Sequence, residues 1–380
     1  MAVVAAAQSG NGPVLRTPGA AQRAAHANRP EMVRLPVLVL DKHGAPVTNL
    51  TASQFTLTED GTVQTISQLE PASTVPLQLG LLMDTSRGME NNFDAMRKAG
   101  SLLVNAILPA GESNREVFLI HFDREVELLQ DFSATSGPLN QELSQLGPTA
   151  RTQERDQGPE TMGDELPRLQ GNRRARQLYD AIYLAADQMM KPKKGLKALV
   201  VISNGEDHGS KETLNEAIDS AERNHCIVYT VYLKGEEERN PLERSGIDRR
   251  GGMGGGYPGG GYPGGGYPGG GYPGSYPGSR GGYPSGRDGG GRSARVDGRR
   301  ILEQISMRTG GRYFVAKKKE QLPEIYGDIA DDLRAQYMLT YTSSKSDDQG
   351  GFHKTTLKVS NGEWLVLAPE GYYAPGGDAQ

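Results

Sequence analysis

Few residues in this chain are spaced for chemistry, and the best-placed pair is Asp84-x-Ser86. It closes the apolar run Leu77-Gln78-Leu79-Gly80-Leu81-Leu82-Met83, which has the length and make-up of a parallel strand covered on both faces. A carboxylate and a hydroxyl at the carboxyl end of such a strand stand where open α/β sheets bind ligands. With the tight turn through Arg87-Gly88-Met89 they could offer oxygen donors to a hard cation such as Mg²⁺. The same Asp84 could equally cap the next helix or accept loop amides. A hydrolase could be assembled from Ser86, His121 and Asp123. Ser86, however, lacks the Gly-x-Ser-x-Gly elbow, and a packed, hydrogen-bonded His121 is the simpler expectation. The histidines His26, His43, His121, His208, His225 and His353 show no zinc spacing. No P-loop occurs, and no Gly-x-Gly-x-x-Gly follows a strand. Cys226 is the single cysteine, so no intramolecular disulfide forms. It opens an apolar run and is expected to be a small core residue.

With 380 residues the chain can hold one large domain and a smaller one. A formal net charge of -4 argues against a global basic field for nucleic acid. The runs Arg173, Arg174, Arg176 and Arg292, Arg295, Arg299, Arg300 suit solvated faces or tethers. No apolar stretch reaches the roughly 18 residues of a membrane span. The start, Met1 to Gln8, lacks a basic n-region, yet Ala5-Ala6-Ala7 has the small residues of a cleavage site. The protein is exported if that stretch is the remnant of a signal peptide, and cytoplasmic otherwise.

The elements that must hold Asp84 follow from periodicity. Residues 1–30 are rich in Ala, Gly, Pro and Gln and are expected to be disordered. Residues 31–75 read as strands. Leu35 to Leu40 contains Pro36, which argues for an edge or a strand start, and Phe55–Thr58 and Val63–Ile66 flank an Asp60-Gly61 hairpin turn. From 76 to 335, strands alternate with helices, as in a mostly parallel sheet with helices on both faces. One predicted helix carries Phe93, Met96, Gly100, Leu103 and Ile107 on its apolar face. Another carries Leu178, Ile182, Ala185 and Met189. Glu125 to Leu129 reads as a short strand paired with the preceding one. A polar stretch, 147–174, interrupts the domain.

A second interruption, 246–293, repeats Gly-Gly-Gly-Tyr-Pro and sets Tyr257, Tyr262, Tyr267 and Tyr272 five apart. It reads as a disordered insertion carrying aromatic stickers for a partner, or as an inert spacer. In 336–380 the pattern returns to strands, with Asn361-Gly362 marking a type I′ hairpin. Each terminal β segment is too small to stand alone. The two are therefore expected to pair into one discontinuous β domain.

Three loops carry a family likeness: Asp84-Thr85-Ser86-Arg87-Gly88-Met89, Leu178-Tyr179-Asp180-Ala181-Ile182 and Ile202-Ser203-Asn204-Gly205-Glu206-Asp207. In their order they resemble the loops of a von Willebrand factor type A domain, and the whole chain resembles bacterial, acidobacterial-type VWFA-related proteins. The likeness implies an α/β, Rossmann-like domain whose upper face holds a metal-ion-dependent adhesion site. There an Mg²⁺ or Mn²⁺ ion keeps an open position for an acidic group of a partner. The implied ligand pattern is degenerate here. Asp84 and Ser86 match, but Gly88 replaces a serine, Arg176 stands where a threonine is implied, and Asn204 replaces an aspartate.

Hard divalent ions need several oxygen donors and negative charge. Two unit charges about 4 Å apart at an effective dielectric of about 20 interact by roughly 4 kcal/mol, so Arg176 would oppose a cation. The expectation is that Arg176 pairs with Asp84 in place of the ion, or that the position is simply empty. No cofactor is then needed, with weak Mg²⁺ or Mn²⁺ at Asp84 and Ser86 as the alternative. The expected function is a non-enzymatic interaction or adhesion-type module with a protein partner at the top face, near Gly88, Arg176, Asn204 and Asp207. The alternatives are an exported, envelope-associated assembly protein and a cryptic serine hydrolase.

Overall fold

The apolar runs become strands and the periodic segments become helices largely where the pattern places them. The computed structural model describes residues 32–111, 114–147, 176–235, 297–344 and 351–374. The terminal segment 1–30, the tract 246–293 and its tyrosines Tyr257, Tyr262, Tyr267 and Tyr272 lie outside the described residues.

Four strands come first: β1 (Met32–Leu40), β2 (Phe55–Glu59), β3 (Thr62–Gln64) and β4 (Ile66–Pro71). The α/β domain follows with β5 (Leu77–Asp84), α1 (Phe93–Ile107), β6 (Arg115–Phe122), β7 (Val126–Ser133) and α2 (Ser136–Ser144). It continues with α3 (Leu178–Leu184), β8 (Leu196–Ser203), α4 (Leu214–Arg223), β9 (Cys226–Leu233), α5 (Gly298–Thr309), β10 (Tyr313–Ala316) and α6 (Leu322–Ala335). The closing strands are β11 (Tyr337–Thr342), β12 (Gly351–Val359), β13 (Leu365–Leu367) and β14 (Gly371–Ala374).

The central sheet has the order β10-β9-β8-β5-β6-β7. All its pairings are parallel except β6 with β7. β5 is buried at every position because helices cover both of its faces. Leu79, Leu81 and Met83 pack with α1, α2 and α6 residues, whereas Leu82 packs with residues of α3, α4 and α5. Each such fully buried side chain contributes about 1.5–3 kcal/mol by removal from water. Helix α1 leaves β5 toward one face and α4 leaves neighbouring β8 toward the other. The loops after β5 and β8 therefore diverge and open a crevice at the carboxyl edge.

Strands from the two ends of the chain share two further four-stranded sheets, β13-β1-β11-β4 and β14-β12-β2-β3. Their common core includes Val37, Val39, Leu57, Leu339, Tyr341 and Tyr372. Pro36 is accommodated because β11 pairs with Met32–Val37 while β13 pairs only with Leu38–Leu40. At Pro36 the strand is thus locally an edge, and the missing N–H costs no ladder bond.

Three expectations change. Asn361-Gly362 is not a hairpin turn: β12 pairs with β2 and β14, whereas β13 crosses to β1 in the facing sheet. Neither residue takes positive φ, and the Asn361 Oδ1 instead accepts the Glu363 N–H at 3.1 Å. Met189 is only half-buried and Met190 takes its place in the core, because α3 widens into a π-helical turn over Ala185–Met190. The wider turn advances the buried face by one residue. β7 is a full eight-residue strand instead of a short one.

Candidate functional site

The site is built from the ends of β5 and β8. Asp84 terminates β5 with no exposed surface. Its Oδ2 accepts the Ser203 hydroxyl at 2.7 Å, and its Oδ1 accepts the Ser86 N–H at 3.0 Å. Ser203 also accepts the Gly205 N–H at 3.0 Å, so one hydroxyl links the carboxylate to the turn of the third loop. Burial pushes the Asp84 carboxyl above its ordinary range. The nearby Ser86 hydroxyl, Arg176 charge and Ser203 hydroxyl oppose that shift without cancelling it. The Ser86 Oγ is itself buried and meets no partner at hydrogen-bond geometry.

Arg176 departs from the expected pairing. Its guanidinium is buried and bonds to the Glu206 carboxylate, not to Asp84. Backbone geometry explains the choice. Arg176 and His208 exchange N–H···O bonds of 2.9 and 3.0 Å, so the second loop is laced to the third beside Glu206. Asn204 reinforces that turn: its Oδ1 accepts the Glu206 N–H at 3.0 Å and its Nδ2 donates to Glu206 Oε2 at 3.3 Å. Asp84, with donors on both oxygens, feels Arg176 only at longer range.

Asp207 turns away from this centre. It accepts the Tyr179 N–H at 3.2 Å, at the start of α3, and the Ser210 hydroxyl at 2.6 Å. Asp180 returns the tie by accepting the Lys211 and Glu212 N–H groups, each at 2.9 Å. These are loop-fixing carboxylates. Gly88 is buried under Gly235, where an added Cβ would come within 2.9 Å of the Gly88 carbonyl oxygen. Gly205 has φ +72, and a Cβ there would lie 2.1 Å from the Gly298 carbonyl oxygen. The chain therefore leaves the central sheet after β9, and re-enters it at α5, against the site loops.

Of the residues expected from sequence, Asp84, Ser86, Gly88, Arg176 and Asn204 converge on this edge. Ser203 and Glu206 were missed as participants. The signal for Glu206 was its place two residues after Asn204, the spacing of an Asx turn. His121 is engaged away from Ser86: its Nδ1 lies 3.2 Å from Thr85 Oγ1 and 3.0 Å from the Gly147 carbonyl oxygen, and its Nε2 lies 3.0 Å from Glu127. The ionisable group beside the Ser86 hydroxyl is the Asp84 carboxylate, not His121. Among the described residues, no group of three or more His, Cys, Asp or Glu side chains is placed to hold a metal ion.

No family model matches the sequence, and no curated protein matches it. Partial likenesses exist among solved structures. Proximal thread matrix protein 1 from the mussel byssus is 8% identical, over 73% of this chain and 51% of that one, with a TM-score of 0.42. An aerotolerance-related membrane protein from Bacteroides fragilis is 14% identical, over 68% and 98%, with a TM-score of 0.38. The vWF domain of the type V pili tip protein Mfa5 from Porphyromonas gingivalis is 18% identical, over 35% and 39%, with a TM-score of 0.27. The chain spans about half the length of the mussel protein. The fold itself is α/β and Rossmann-like: a mostly parallel six-stranded sheet with helices on both faces and site loops at its carboxyl edge, with additional small sheets. No helix among the described residues is long and apolar enough to cross a membrane.

Proposed function

We propose that this chain is a non-enzymatic protein-interaction module of the VWFA-related, acidobacterial type, and that its degenerate adhesion site works without a metal ion. The observation that carries the reading is a buried Arg176 paired with half-buried Glu206 beside a fully buried Asp84. A divalent ion needs several free oxygen donors and net negative charge. Here both Asp84 oxygens accept protein donors, Asn204 Oδ1 is bound to a backbone amide, and Gly88 offers no side chain. The Ser86 Oγ, beside Asp84, adds one neutral oxygen. Arg176 brings positive charge to the pocket and Glu206 balances it, so the residues present do not fit Mg²⁺ or Mn²⁺. A partner then meets loop surface around Arg87, Glu90 and His208, all exposed.

Calorimetric titration tests this. Wild-type protein is expected to give no saturable heat with Mg²⁺ or Mn²⁺, whereas Arg176→Thr, which restores a hydroxyl and releases Glu206, is expected to gain Mn²⁺ binding. Tight wild-type binding abolished by Asp84→Ala defeats the metal-free reading.

A further inference from the structure

We propose that an exposed basic rim beside the site loops is the docking surface for an acidic segment of a protein partner. The proposal rests on the interaction-module reading above and gives the partner's chemistry. The parallel strands β9 and β10 end side by side, with Leu233 paired to Ala316. Lys234 and the run Lys317-Lys318-Lys319 therefore leave the sheet as neighbours, and all four are exposed. The Lys319 Nζ donates to the Asn91 carbonyl oxygen at 3.2 Å, and the Asn92 Nδ2 donates to the Lys234 carbonyl oxygen at 3.3 Å. These bonds join the ends of β9 and β10 to the first site loop in one surface. The first turn of α5 adds Arg299 and Arg300, both exposed. The Arg299 guanidinium lies 4.7 Å from the Tyr232 ring centre, which fixes it over the end of β9.

Among the described residues, six cations thus share a surface with three acids, Glu90, Asp297 and Glu320, on a chain whose net charge is -4. Asp297 is already engaged, accepting the Arg299 N–H at 3.1 Å and lying 3.7 Å from Arg300 Nε. A local positive surface on a net-negative protein steers an oppositely charged segment to one face. The interspersed acids would repel a continuous phosphate backbone, but they leave gaps for discrete carboxylates. Among the described residues, Tyr232 at this rim is covered by Arg299 and offers no open ring on which a base could stack.

The test is fluorescence anisotropy of a dye-labelled deca-glutamate peptide with the full chain at low salt. The variant Lys234→Gln/Lys317→Gln/Lys318→Gln is expected to weaken binding about tenfold. Its thermal midpoint should hold, because the three side chains are exposed. A rise from about 50 to about 200 mM salt is expected to weaken wild-type binding markedly. Should the triple variant misfold, Arg299→Gln/Arg300→Gln samples the same rim. Equal binding by wild type and the folded variant overturns the proposal. So does tighter wild-type binding of a single-stranded oligonucleotide, or of phosphatidylserine vesicles, than of the peptide. An isolated partner that binds the triple variant as well as wild type sinks the rim and leaves the module reading intact. Turnover of an ester or peptide substrate lost in Ser86→Ala sinks the module reading and leaves the rim measurement standing.

Discussion

The two edges of the central sheet use the same chemical pair for different ends. At the amino edge, where the β sheets dock, Arg312 Nη1 lies 3.3 Å from the fully buried Asp332 carboxylate and donates to the Gly44 carbonyl oxygen at 3.2 Å. Nearby, Arg308 grips Glu222 with Nε at 3.1 Å and Nη2 at 2.8 Å, while its own carbonyl accepts the Glu370 N–H at 3.1 Å. Both arginines reach from the α/β domain into contact with the terminal β segments. At the carboxyl edge, Arg176–Glu206 joins one loop to another. The same guanidinium–carboxylate pair is a clamp where two layers meet and a loop-to-loop tie where a sheet opens. Placement decides which, because a buried pair is retained only where neighbouring backbone groups satisfy what remains of it.

The sharpest way to break this contrast is Arg312→Ala. It strands the Asp332 carboxylate in the junction and removes the bond to Gly44, and urea unfolding is expected to show a loss of about 3 kcal/mol near pH 8. A loss below about 1 kcal/mol would mean the clamp is ornamental. Gly205→Ala at the other edge is expected to cost about 2 kcal/mol, since the residue has positive φ and no room for a Cβ against Gly298. Arg176→Met is expected to cost about 1–2 kcal/mol, less than the clamp, because the Glu206 side chain is 26% exposed and can rehydrate.

The junction acids add a pH signature. Burial pushes Glu222 and Asp332 each up to about 7, against the pull of Arg308 and Arg312. The folded state therefore holds protons that the unfolded chain has released. This contribution to stability is complete below the ordinary carboxyl range and fades as pH rises through 7. Urea midpoints are expected to fall from pH 5 to pH 7.5, and Glu222→Gln should flatten the slope; a midpoint that rises over that span contradicts the assignment. Smallest of all, Lys191→Ala removes an exposed i,i+4 pair with Asp187 and should shift stability by no more than about 0.5 kcal/mol.

Much of the fold was legible because periodicity reports burial. The apolar run at Leu77, the helical face from Phe93 to Ile107 and the Asp60-Gly61 turn are local patterns, and the structure keeps them, with φ of 44 at Asp60 and 80 at Gly61. The site was legible as a set of loops but not as a set of bonds. Which carboxylate takes Arg176 depends on the ladder to His208, a pairing between residues 32 apart.

Sequence alone therefore determined which segments are strands or helices and which side chains crowd the carboxyl edge, since alternation and helical spacing are short-range consequences of what must be buried. Only tertiary structure decided that Asn361-Gly362 sends its two strands into opposing sheets, that a π turn moves Met190 into the core, and that Glu206 is the partner of Arg176. Each of those depends on which distant backbone supplies the hydrogen-bonding neighbour, and no local pattern encodes that choice.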